Sequence, residues 1–191
     1  LTSFTLLRDL ITFPADKKFA SKEEDEVLFI DRESLHNTPK KFFTPEEENN
    51  FFTLFTEVPT TNTKDINTHL QAMQQAWKER GINFRYKNDP TKASLISAVF
   101  HSQITPEENT LFVGHVGVLV PFKGKLLFIE KLAFQEPYQA IKFANRTQLS
   151  DYLMNRYDVE WEQPNAIPFI MENDALMEGY RPNPYKKEQR L

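Results

Sequence analysis

The sequence predicts an α+β fold, with N-terminal helices packed on an antiparallel β-sheet. Three observations carry that expectation. Thr44–Phe55 and Lys64–Arg80 show helix starts followed by apolar residues at helical spacing. Leu111–Phe122 and Leu126–Phe134 are long apolar runs separated by Lys123-Gly124, the pattern of a β-hairpin. Leu95–His101 alternates ahead of them as a further strand, so helices come first and sheet second.

The elements follow in order. Leu1–Ile11 reads as the inside of an amphipathic helix, with Phe4, Leu7 and Ile11 on one face, ending near Phe13-Pro14 because proline disfavours helix in its predecessor. It opens without a cap or a methionine, so the expectation is that further residues precede Leu1 and carry any targeting signal. The charged stretch Lys17–Glu26 is read as a solvated loop and Val27–Ile30 as a short strand or buried turn. At Thr44-Pro45-Glu46-Glu47-Glu48 the threonine caps, proline fits the first turn and the acids meet the positive helix end. Phe51, Phe52, Leu54 and Phe55 are then carried into a core.

In the second of these helices Ile66, Leu70, Met73 and Trp77 form the apolar stripe, and Gly81 stands just past its end. His69 lies on the flank and receives no role. Asn145 or Thr147 starts a later helix with Leu149 and Leu153 at i, i+4, and Pro168–Met171 is a strand followed by a polar tail. Trp161, among acidic and amide neighbours, reads as an edge-strand aromatic. No repeat divides the chain, which is taken as one domain over residues 1–191.

Composition narrows the function. With 191 residues, 40 % apolar residues and 17 phenylalanines, the chain can bury a core. A net charge of −4 and isolated lysine pairs argue against a nucleic-acid partner, and no apolar run is long enough to span a membrane. The absence of cysteine excludes disulfides, thiolate metal sites and a cysteine nucleophile within these residues. His36 and His101 have no second ligand at metal spacing, so neither a metal nor another cofactor is expected.

The most informative stretch is Gly114-His-Val-Gly-Val-Leu-Val120, which sets an imidazole in an apolar strand between small residues. With the turn centred between Lys123 and Gly124, cross-strand partners sum to 247, so Gly117 faces Glu130 and His115 shares a face with Glu130 as a diagonal neighbour. The carboxylate would then fix one ring nitrogen and leave the other for proton transfer. A three-residue turn would place Glu130 on the other face. His115 as a structural histidine and Glu130 as an exposed partner of Lys131 remain the plainer readings. Gln135 and Tyr138, in the polar segment Gln135–Gln139, either rim a substrate cleft or form a plain connection.

The segments Leu1–Ile11, Gly114–Val120, Leu127–Gln139 and Pro168–Asp174 together resemble the bacterial family catalogued as domain of unknown function 4300, and the resemblance spans nearly the whole chain. That family looks similar to the papain-like, NlpC-type cysteine peptidases and amidases. There a cysteine begins a helix, a histidine sits on the first strand of the following sheet and a polar residue on the next strand orients it. The resemblance implies a papain-like, NlpC-like fold with His115 as general base and then acid, and Glu130 as its orienting partner. It also implies an Asn-Cys-Arg sequence immediately before the segment matching Leu1, where the helix start and a protonated imidazole would lower the thiol pKa. Without that cysteine the chain is expected to be inactive. The implied substrates are amide bonds of peptides or peptidoglycan, and the implied setting is extracytoplasmic, in secreted or lipoprotein form. The competing expectation is a non-catalytic binding or structural module of the cell envelope that keeps the same fold.

Overall fold

A computed structural model describes residues 1–15, 26–159 and 162–186. The charged stretch before Glu26 and the aromatic Trp161 therefore lie outside the described residues. Five α-helices occur among the described residues: α1 (Thr2–Leu7), α2 (Phe29–Asn37), α3 (Pro45–Phe55), α4 (Ile66–Glu79) and α5 (Arg146–Tyr157). The strands are β1 (Ile11–Thr12), β2 (Val58–Pro59), β3 (Asn83–Phe84), β4 (Ser94–Gln103), β5 (Asn109–Phe122), β6 (Lys125–Lys131), β7 (Tyr138–Phe143), β8 (Phe169–Glu172) and β9 (Ala175–Leu176). The main sheet runs β7-β6-β5-β4-β8-β9, antiparallel throughout, with β2 pairing on β5. The mixed α+β class with a large antiparallel sheet is therefore as the sequence predicts.

Local chemistry explains the long helices. Thr44 and Glu47 form a reciprocal capping box at the start of α3, and the Asp65 carboxylate accepts from Asn67 N and Thr68 N at the start of α4. The buried Arg80 guanidinium, just past α4, donates to the carbonyls of Thr53, Thr56 and Glu57 and so closes the end of α3. Trp77 Nε1 donates to Leu54 O at 3.0 Å, tying the two helices together. The opening helix is shorter than expected. It tightens to a 3₁₀ turn at Arg8–Leu10, and Ile11-Thr12 leave it to pair with Phe84 and Asn83. Of the two readings of Val27–Ile30, strand or buried turn, the turn holds at its start: a 3₁₀ turn with Leu28 buried leads into α2 at Phe29.

The sheet buries both faces. On the first, α1, α3 and α4 pack Phe4, Leu7, Phe51, Leu54, Met73 and Trp77 against Val99, Leu111 and Val118. On the second, α5 packs Leu149, Leu153 and Met154 against Ile96, Leu119, Phe128 and Ile170. The β5–β6 hairpin turns at Lys123-Gly124, both with positive φ (49° and 73°), as a two-residue hairpin turn requires. Gly117 consequently faces Glu130, in the predicted register.

Regular alternation along β5 breaks once. Between the pairs Ala98–His115 and Val99–Val113, Gly114 is an extra residue, a β-bulge. Val113 therefore points to the first face although His115, two residues on, points to the second. A Cβ at Gly117 would lie 2.3 Å from the Phe128 ring, so the space that this glycine leaves opposite Glu130 is filled by phenylalanine.

Two stability measurements check this packing. Gly117→Ala forces the Phe128 ring to move and should cost about 1–3 kcal/mol, read as a lower midpoint of urea unfolding. His69 is fully buried; its Nδ1 meets Thr60 Oγ1, its Nε2 meets Thr63 O, and its ring lies 4.6 Å from that of His101. Burial holds its pKa below the usual histidine value of 6.5, so the neutral ring favours the folded state. The stability it contributes is complete above that value and is lost as pH falls from there toward the lowered folded pKa. His69→Gln should flatten the fall in melting temperature across that acidic window.

Candidate functional site

The second face of the sheet carries one buried polar cluster, built from three adjacent strands and a helix. His115 comes from β5, Glu130 from β6 and Gln139 from β7, while Tyr152 and Tyr157 come down from α5. Glu130 is 1 % exposed. Its Oε2 accepts from His115 Nε2 at 2.5 Å, and its Oε1 accepts from Gln139 Nε2 at 2.5 Å and from the Tyr152 hydroxyl at 2.7 Å. The Gln139 amide also donates to the Tyr152 oxygen at 2.7 Å, closing a ring of three hydrogen bonds. Burial pushes the Glu130 carboxyl pKa up, but the bonds from His115, Tyr152 and Gln139 together outweigh it and leave it below the ordinary carboxylate value.

An ionised carboxylate only accepts, so the proton of the His115–Glu130 bond belongs to Nε2. In the neutral ring Nδ1 then carries the lone pair, and it makes no hydrogen bond among the described residues. Tyr157 stacks on the imidazole, with ring centroids 4.8 Å apart and planes 28° from parallel. Its hydroxyl is buried without a hydrogen-bond partner, and burial raises its pKa to about 12, so it stays a phenol at neutral pH. The His115 side chain is 9 % exposed. The arrangement holds an imidazole in one tautomer and one orientation, which is what a general base requires.

Of the four residues singled out in the sequence, His115 and Glu130 are brought together. Gln135 stands exposed in the turn between β6 and β7, outside the cluster. Tyr138 is the first residue of β7 and points to the opposite face, where its hydroxyl lies 2.8 Å from Thr2 Oγ1. The sequence reading missed Gln139, Tyr152 and Tyr157. The run Leu126–Phe134 was expected to continue as one strand, whereas β6 stops at Lys131 and β7 returns beside it with Gln139 opposite Glu130. Alternation of Gln139, Ile141 and Phe143 was the available signal.

One spatial expectation is corrected. The imidazole was expected to face the start of the first helix, but α1 packs on the first face and His115 lies on the second. The bulge at Gly114 is the cause, since it reverses the facing of everything after it. The two sides adjoin at one place. On the edge away from β4, β5 pairs with β6 from Gly117 onward and with β2 at Thr110 and Leu111. Residues 112–116 have no strand there among the described residues. Leu1, Val113 and Val116 all pack against the first core.

The family described as Domain of unknown function (DUF4300) matches residues 1–177. The chain belongs to that family. No curated protein and no solved structure matches it. Among the described residues of this DUF4300 chain, no helix is long and apolar enough to cross a membrane, and no group of three His, Asp or Glu is placed to hold a metal ion.

The cluster makes a direct prediction about stability. Tyr152→Phe removes a bond to a buried charge and should cost about 1.5–3 kcal/mol in urea unfolding, more than a neutral surface hydroxyl would. Tyr185→Phe, at an exposed tyrosine of the tail, should change stability by less than about 0.5 kcal/mol.

Proposed function

We propose that this domain is the body of a papain-like cysteine peptidase or amidase, with His115 as its proton carrier and Glu130 as the residue that orients it. The observation carrying this reading is the polarity of the imidazole. Nε2 is engaged by a buried, triply bonded carboxylate, and Nδ1 keeps a lone pair with no partner. The His115 ring would take a proton from a thiol and later return it to the leaving amine, while Glu130 stabilises the imidazolium between the two steps. The thiol would come from residues preceding Leu1, as the resemblance implies, and would meet the ring at the open edge of β5. Its substrate would be an amide bond of a peptide or of peptidoglycan outside the cytoplasm.

A second reading has its own observation. The bonds around Glu130 tie β5, β6, β7 and α5 together, and such a brace is useful to a non-catalytic envelope module that never transfers a proton.

The two readings separate on the protein carrying the residues before Leu1. Treated with iodoacetamide at neutral pH, it should show one thiol that alkylates faster than free cysteine, and His115→Ala should slow it to the free-cysteine rate. A thiol no faster than free cysteine, or the absence of any cysteine there, overturns the peptidase reading in favour of the brace.

A further inference from the structure

Behind Tyr157 lies a cleft of about 650 Å³, a size suited to a small ligand or a short peptide end. Its floor is the stacked pair Phe100 and Phe112, with centroids 5.5 Å apart and planes 18° from parallel. Gly114 borders it, and the missing side chain matters there: a Cβ would lie 2.7 Å from the Phe100 ring. Both phenylalanines are only partly buried, so apolar surface is left facing the opening.

The described lining residues carry three formal charges. Asp158 is buried and its Oδ1 is bound by Lys186 Nζ at 3.0 Å, so those two offset each other. Lys64 is exposed and makes no hydrogen bond or ion pair among the described residues. Among the described lining residues the cleft thus combines an aromatic floor with an exposed lysine that pairs with no carboxylate. Tyr157 is the wall it shares with the polar cluster, since the ring stacked on His115 also meets Phe100 edge-on at 6.0 Å. Whatever fills the cleft sits one ring away from the imidazole.

We infer that this cleft receives the carboxyl-terminal residue of a peptide, its apolar side chain on Phe100 and Phe112 and its terminal carboxylate at Lys64. The inference deepens the peptidase reading, on which its meaning rests, by naming the end of the substrate that is recognised. Charge complementarity selects this occupant. An amidated or internal segment would leave the Lys64 ammonium uncompensated, and a cationic end would be repelled by it.

The binding is measured on the chain as it stands, with no chemistry involved. Acetyl-Ala-Leu as the free acid is titrated into the protein by calorimetry, alongside its carboxamide, and backbone amide shifts locate the site. The acid should bind about twofold to fivefold more tightly than the amide, the effect of one exposed ion pair. Lys64→Ala should bring the acid down to the level of the amide, and Phe112→Ala should weaken both. Equal binding of acid and amide, shifts away from residues 100–114, or no binding overturns the inference. If Phe112→Ala does not fold, the acid–amide comparison and the exposed Lys64→Ala still decide. Acid-selective binding with an unreactive upstream thiol would keep the cleft and remove the peptidase. A reactive thiol without that binding would do the reverse.

Discussion

A carboxylate buried to 1 % exposure is tolerable only if hydrogen-bond donors compensate its charge, and Glu130 imposes that condition on the whole second face. Its donors come from β5, β7 and α5, so the three elements are held in register by one anion. Removing any one donor leaves a buried charge less fully compensated, on the face that also buries Phe128, Phe143 and Leu149. The position of α5 over the sheet follows from this. Hydrophobic contact alone would let the helix slide, whereas the Tyr152 hydroxyl has to meet one oxygen.

The same anion determines what His115 can do. With its Nε2 proton directed at Glu130 and Tyr157 lying flat against it, the ring has a fixed plane and a fixed tautomer. Pre-organisation of that kind costs nothing further when a proton moves. It would serve equally well to make the face rigid, which is why the residue types alone do not separate a catalytic from a structural imidazole.

Much of this was legible in the residues. The Lys123-Gly124 turn determines the hairpin register, and the register puts His115 and Glu130 on one face. The cap of α3 at Thr44 follows from side-chain chemistry over three residues. What stayed hidden depends on longer range. Tyr152 and Tyr157 reach the cluster only because α5 packs across the sheet, and no spacing within that helix announces it. Gly114 reads in the sequence only as a small residue beside the imidazole; its larger effect, the reversal of facing, depends on the partner strand β4 and so cannot be read from β5 alone.

That single inserted residue makes β5 two short strands spliced out of phase. Asn109–Val113 pairs with β4 and, at Thr110 and Leu111, with β2, while His115–Phe122 pairs with β4 as far as Leu119 and with β6 from Gly117 onward. Sequence drift in the first segment can remodel the cleft floor at Phe112 without rotating the imidazole. The fold therefore holds the cleft floor and the imidazole on one continuous backbone while leaving them free to diverge separately.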